Sequence, residues 1–128
     1  MAACKNPQER WGADVVSRLD AALAGHGETL RACITACIAE LAEELCRQAG
    51  RPVSDIGGAV LTGNTAMLYL LRGLDVRDIA LAPFQARHCF GEYVSAAELG
   101  LRWGADCRIY LPPCISASVG ADVSCGLL

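Results

Sequence analysis

The chain has 128 residues, of which 53% are hydrophobic, so one domain with a real core can form over residues 1–128. Its net charge of −3, its scattered basic residues and its 5% of aromatic residues disfavour a nucleic-acid partner. The sequence has neither an apolar run long enough to span a membrane nor a secretion signal at its N-terminus, which predicts a cytoplasmic protein without a membrane partner.

Eight cysteines are spread along the chain, and no two of them form a Cys-x-x-Cys pair. Cys33 and Cys37 are spaced to share one helix face, but no second close pair and no nearby histidine completes a metal site. His26 and His88 also lack the partner spacing of metal ligands, which favours surface positions. The favoured interpretation is therefore buried, reduced thiols that act as small hydrophobic residues, with a metal or cluster site as the alternative.

The first half of the chain predicts two amphipathic helices. Residues 12–23 carry one apolar stripe, and Gly25 is a plausible end for that helix. Residues 28–49 have the strongest periodicity in the chain, with apolar side chains at steps of three and four residues. Gly50 and Pro52 end this second helix. An apolar stripe of this length is typical of a helix that covers a sheet.

Residues 58–71 predict a strand, a tight polar turn and a helix. The short apolar run at 58–62 favours a strand buried on both faces, as in a parallel sheet. Asn64 or Thr65 can cap the helix, and Gly63 allows a close backbone approach or a left-handed turn. Open α/β sheets bind anions at the carboxyl ends of strands. Asn64 and Thr65 therefore line a nucleotide cleft or only cap the helix, and the two roles are compatible.

A second strand, loop and helix close the chain, with the strand at residues 107–111. Ser116 follows this strand and can face a phosphate, but no order of His, Ser and Asp indicates an activated nucleophile. Asp122 and Asp14 each lie near the start of a predicted helix, where either the helix dipole or a water-bridged Mg²⁺ explains a carboxylate. Residues 74–106 predict only short helical turns, short strands and coil.

Four segments taken together resemble one protein family. They are Asn6-Pro7-Gln8 with Gly12-Ala13-Asp14-Val15, then Gly63-Asn64-Thr65, then Leu81-Ala82-Pro83-Phe84, and finally Leu111-Pro112 with Val119-Gly120-Ala121-Asp122. Their order and spacing resemble the C-terminal ATPase region of the ferredoxin-like reductive activators of corrinoid proteins. That region belongs to the superfamily of acetate and sugar kinases, heat-shock chaperones and actin (ASKHA). The resemblance covers nearly the whole chain.

The resemblance implies an α/β fold, namely the interior of one ribonuclease-H-like, actin-like ATPase lobe with a small parallel sheet flanked by helices. In such a lobe, residues 58–62 and 107–111 would be the fourth and fifth strands. It also implies a site for ATP and Mg²⁺. The expected contacts are Gly63, Asn64, Thr65, Ser116 and Asp122 for the nucleotide and Asp14 for the metal.

The sequence lacks both phosphate loops of that family, and the [2Fe–2S] domain that the family places upstream. In the family, ATP use drives electron transfer from the iron–sulfur cluster to the cobalt of an inactivated corrinoid. We therefore expect a parent protein to be the activator, with a corrinoid protein as its partner, and the chain alone to be inactive. A non-catalytic interaction domain is the alternative, in which the same motifs persist only as helix caps and turns.

The strand at residues 58–62 would have an unpaired edge if the first three strands of the family sheet are missing. Unpaired edges seek partners, and so do apolar helix faces left bare. We therefore expect the chain to self-associate. The ATPase interpretation also requires the loops after Thr62 and Leu111 to open onto one shared cleft.

Overall fold

The computed structural model describes Ala2, Ala3, Lys5, Pro7 and residues 15–114. The predictions made for Asp14, Ser116 and Asp122, and for the closing helix, lie outside this part of the chain. Within these residues, four α-helices and three strands follow one another in the order α1 (Val15–Ala21), α2 (Gly27–Ala49), β1 (Gly58–Val60), α3 (Thr65–Arg72), α4 (Arg77–Ala80), β2 (Glu92–Ser95) and β3 (Arg108–Leu111).

Glycines in left-handed or otherwise non-helical conformations set the helix boundaries. A kink at Ala22–His26 joins α1 to α2, and Gly25 within it has a non-helical φ of 102°. α2 stops at Gly50, whose φ of 68° is one that other residues adopt at a cost. There the Gly50 amide donates to Arg47 O and the Arg51 amide to Cys46 O. The predicted long helix is thus confirmed to within one residue at each end.

The three strands form a mixed sheet in the order β1-β3-β2. β1 runs parallel to the central strand β3, with Ala59 opposite Ile109, so the predicted parallel pair is confirmed. β2 runs antiparallel to β3, with Val94 opposite the same Ile109. The sheet is therefore not purely parallel, because a segment predicted as short strand or coil supplies its third strand.

One face of the sheet is covered by helices and the other is open within the described part of the chain. Val94, Ile109 and Leu111 pack against Leu68 and Leu71 of α3, with α2 side chains on the same face. Side chains of the opposite face include Val60, which is 63% exposed, and Tyr93, which is 66% exposed. The prediction that residues 58–62 are buried on both faces is wrong, because α2 and α3 share one face and β1 is an edge strand.

A second apolar cluster joins the helices on the side away from the sheet. Its buried members come from all four helices and the turn before α4: Leu19, Leu30, Ala66, Tyr69, Leu70, Val76 and Ile79. Arg31 of α2 adds a polar link, because its Nε donates to Leu71 O at 3.2 Å and its Nη2 to Glu98 O at 3.1 Å. These contacts hold the end of α3 in place relative to α2.

Of the six described cysteines, Cys37, Cys107 and Cys114 are buried and Cys89 is exposed. Burial raises the pKa of the Cys107 thiol above its ordinary value. The stability contributed by the protonated thiol is therefore present at neutral pH and is lost as the pH rises through that raised pKa. Within the described residues, no three His, Cys, Asp or Glu side chains are grouped to hold a metal. No described helix is both long and apolar enough to cross a bilayer.

Candidate functional site

The carboxyl ends of β1 and β3 lie side by side at one edge of the sheet. The Leu61 amide donates to Tyr110 O at 3.1 Å, which extends the parallel pairing one residue beyond β1. Because the two strands are parallel, the chain leaves both of them at the same edge, as the sequence predicted. This edge, formed by residues 61–64 and 112–114, is called the carboxyl edge below. A cleft between the two loops stays a prediction, since residues after Cys114 are outside the described part.

Asn64 is the N-cap of α3. Its backbone is extended, with φ of −70° and ψ of 165°, and its Oδ1 accepts a hydrogen bond from the Met67 amide at 2.9 Å. The predicted capping role is therefore confirmed for Asn64. With Oδ1 engaged, the side-chain Nδ2 group is left as a donor, next to the first-turn amides that an α-helix leaves without intrahelical acceptors. The cap and a contact with an anion are thus compatible.

Gly63 and Thr65 flank this cap in different environments. Gly63 is not among the glycines with positive φ, so the predicted left-handed turn is wrong. A Cβ at Gly63 would lie 3.4 Å from Met67 Cβ, which is close to an ordinary van der Waals contact, so the packing within the described residues does not itself require glycine there. Thr65 is buried as the first residue of α3. Contact of Gly63 and Thr65 with nucleotide stays a prediction.

A segment that the sequence did not predict to belong here also reaches the carboxyl edge. Residues 88–91 run beside the chain that leaves β3, and the Cys114 amide donates to Cys89 O at 2.8 Å. Gly91 has a φ of 72°, its amide donates to Leu111 O at 2.8 Å, and an added Cβ would lie 3.4 Å from Pro113 Cβ. Gly91 directly before an alternating Glu-Tyr-Val-Ser run was the signal in the sequence for this turn into an edge strand.

Three polar side chains lie close together at this segment, and one of them, His88, belongs to it. Glu92 Oε1 lies 2.9 Å from His88 Nε2 and 3.4 Å from Arg72 Nε. The His88 amide donates to Tyr69 Oη at 3.0 Å, which ties the segment to the buried helix α3. His88 is therefore half-buried in an ionic cluster, whereas the sequence favoured a free surface position. The cluster attaches the carboxyl edge to the end of α3 and to the start of β2.

Asn64 is thus the one predicted site residue whose described geometry fits an anion. Its Nδ2 group and the first turn of α3 supply donors at the carboxyl edge, and the α3 dipole favours negative charge there. No described side chains at this edge form a carboxylate pair for Mg²⁺, and Asp14 and Asp122 lie outside the described residues. The arrangement offers hydrogen-bond donors of the kind that a phosphate group accepts from.

Known proteins resemble this chain over almost its full length. Residues 1–128 match the family described as RACo middle region. The sequence is 31% identical over 127 residues to the corrinoid activation enzyme RamQ of Eubacterium limosum, covering 96% of this chain and 21% of RamQ. The structure matches a protein described as a reductive activator for corrinoid, iron-sulfur protein with a TM-score of 0.90 and 31% identity, covering 95% of this chain and 20% of that protein. The chain therefore spans about a fifth of the length of these relatives.

Proposed function

Because this chain belongs to the RACo middle region family, we propose that it forms part of an ATP-dependent reductive activator of corrinoid proteins. Its similarity to two named activators over about 95% of its length supports this function. The parent activator uses ATP to drive electrons from an iron–sulfur cluster on another domain to the cobalt of an inactive corrinoid. In this proposal the protein acts in the cytoplasm, with a corrinoid protein as its partner.

The observation that carries the proposal is the position of Asn64 at the carboxyl edge. The chain leaves two parallel strands there, and a capped helix N-terminus faces the same edge. A phosphate of ATP would accept hydrogen bonds from Asn64 Nδ2 and from the first-turn amides of α3. The chain's own residues would bind and orient the nucleotide, and the lobe would close around it as a gating motion. In this role, residues 88–91 would move together with the closing lobe and carry that movement to β2.

Nucleotide titration tests this role. We expect a chimera in which the chain replaces its matched fifth of RamQ to bind Mg²⁺–ATP saturably, and Asn64→Ala to weaken that binding about ten-fold through loss of a donor. The measurement is isothermal titration calorimetry. The isolated chain is expected to bind weakly or not at all, because its sequence contains neither phosphate loop. A folded chimera that does not bind ATP would argue for the interaction-domain alternative.

The alternative, a non-catalytic interaction domain, has its own supporting observation at the outer edge of β1, which pairs only with β3 within the described part of the chain. An apolar groove of about 460 Å³ runs between α2 and this edge. Its lining includes Ile38, Leu41, Leu45, Ile56, Ala59, Leu61 and Trp103. Because an edge strand presents unpaired N–H and C=O groups, a second copy of the chain can add a strand there and fill the groove.

We therefore expect the isolated chain to self-associate through β1. Size-exclusion chromatography with light scattering at micromolar concentration should show a dimer or larger species. Val60→Lys should shift the protein towards monomer, because a charge on an edge strand opposes pairing. Arg108→Lys on the neighbouring strand is the matched control, since it keeps the charge of that position. A wild-type chain that is monomeric under these conditions would exclude this surface as a self-association interface.

A further inference from the structure

Two cysteines that are distant in sequence, Cys89 and Cys114, are neighbours at the carboxyl edge. The Cys114 amide donates to Cys89 O at 2.8 Å. Even if it were fully stretched, the path from one Cα atom through this hydrogen bond to the other would span at most about 6.7 Å. Disulfides join Cα atoms that are about 4.4–6.8 Å apart. The backbone separation of this pair therefore allows a disulfide.

The two thiols differ in exposure in the way that a redox-active pair requires. Cys89 is exposed, whereas Cys114 is only 5% exposed and packs in the cluster that joins the sheet to α2 and α3. Cys89 Sγ donates to Ala86 O at 3.7 Å, a weak contact that rotation about the Cα–Cβ bond can break. An oxidant from solvent can therefore reach the first thiol, and the second thiol lies next to it to resolve the product.

The segment that carries the exposed cysteine is held on both sides. Just before it, the His88 amide donates to Tyr69 Oη at 3.0 Å. Just after it, the Gly91 amide donates to Leu111 O at 2.8 Å. These contacts keep the segment beside the chain that leaves β3. The folded backbone has thus already brought the two cysteines together, so forming the bond requires little further ordering of the chain.

We propose that Cys89 and Cys114 form a reversible disulfide that locks the carboxyl edge under oxidising conditions. The Cys89 thiol loses its proton, and its thiolate attacks one sulfur of a low-molecular-weight disulfide, which releases one thiolate and leaves a mixed disulfide on Cys89. The Cys114 thiol then loses its proton and attacks Cys89 Sγ, which releases the second thiolate. The released thiolates take up the two protons, so the small disulfide gains two electrons and the protein pair loses two.

The bond would join residues 88–91 covalently to the chain after β3. In the proposed function these residues move when the lobe closes around the nucleotide, so the oxidised form would resist closure. This consequence rests on the proposed function, whereas formation of the disulfide does not. Reversibility fits a cytoplasmic protein, because disulfides in that compartment are usually transient and often sense the redox state.

Peptide mapping of the 128-residue chain by mass spectrometry tests the pair. After treatment with glutathione disulfide, we expect a cross-linked peptide that contains Cys89 and Cys114 and that disappears after reduction with dithiothreitol. Cys89→Ala should abolish the cross-link, and Cys114→Ala should leave glutathione trapped on Cys89. Cys46→Ala, which removes a half-buried thiol on α2, is the matched control and should retain the cross-link.

The exposed position of Cys89 makes this test readable even if Cys114→Ala is unstable. Cys89→Ala should keep the melting temperature of the wild type, because surface substitutions usually change stability little. Glutathione that remains on Cys89 of the wild-type chain would overturn the proposal. A cross-link from Cys89 to any other cysteine would also overturn it.

The locking role is tested in the RamQ chimera by calorimetric titration with Mg²⁺–ATP. We expect the cross-linked chimera to bind at least several-fold more weakly than the reduced one. The Cys89→Ala chimera should have the same affinity before and after oxidation, which separates the lock from oxidation of other groups. An unchanged affinity of the cross-linked chimera would overturn the locking role and leave the proposed function in place. A reduced chimera that does not bind ATP would instead contradict the proposed function, and the peptide map alone would then decide whether the disulfide forms.

Discussion

Ile109→Ala is expected to lower the free energy of unfolding by about 2–5 kcal/mol. Ile109 is 0% exposed and lies on the central strand β3, where both β1 and β2 pair with it. Its side chain packs in the cluster that joins the sheet to α2 and α3, so truncation removes buried apolar surface and leaves a cavity. Because small domains are stable by only about 5–15 kcal/mol, the variant loses a large share of its stability.

Urea denaturation followed by circular dichroism measures this loss. The matched control is Val60→Ala, which truncates a β-branched residue on the neighbouring strand β1 at a position that is 63% exposed. We expect the control to change stability by less than about 0.5 kcal/mol. Equal losses for the two variants would mean that the buried face of the sheet is not the one described, and the placement of the carboxyl edge would then lose its basis.

Gly104→Ala is the second substitution with a large expected effect, about 1–3 kcal/mol of destabilisation. A Cβ at Gly104 would lie 2.7 Å from Ser54 O and 3.2 Å from Ile56 O. Both contacts are with backbone atoms just before β1, so no side-chain rotation can relieve them. The loop that leads into β3 must move away from the segment that leads into β1, which disturbs the two parallel strands at their start.

Gly57→Ala is the control for this second substitution, because a Cβ there meets nothing within 4 Å. It lies in the same neighbourhood, directly before β1, and should alter the melting temperature little. Differential scanning calorimetry of the two variants separates the clash from a general effect of replacing glycine. A Gly104→Ala protein with the same melting temperature as the wild type would show that the two loops are not in contact.

Helices were predictable here because their signals are local. The apolar stripe and Gly50 define α2, and Asn64 and Gly73 mark the ends of α3, where Gly73 has a φ of 68°. The sequence also identified the two strands that form the parallel pair. Their lengths were less well predicted, since β1 covers Gly58–Val60 only. Strand ends depend on the partner strand, which a single run of apolar residues does not specify.

The exposed face of β1 and the place of β2 in the sheet were not predictable from the sequence. Val60 looks like a core residue in its apolar run, but its exposure depends on where both helices pack. The sequence predicts β2 only as strand or coil, because an alternating run of four residues is short and its pairing is set by contacts distant in sequence. For the same reason, the half-buried position of His88 beside Glu92 and Arg72 was missed. The cap at Asn64 was found because capping needs only residues that follow it directly.

The most direct test of a phosphate site at the carboxyl edge is the affinity of the Asn64→Asp chimera for Mg²⁺–ATP. Aspartate caps a helix as well as asparagine, so α3 and the melting temperature should be retained, but its negative charge would face the phosphates. We predict at least about ten-fold weaker ATP binding than for the wild-type chimera. Unchanged ATP affinity together with an unchanged melting temperature would mean that Asn64 only caps α3, and the nucleotide would have to bind elsewhere.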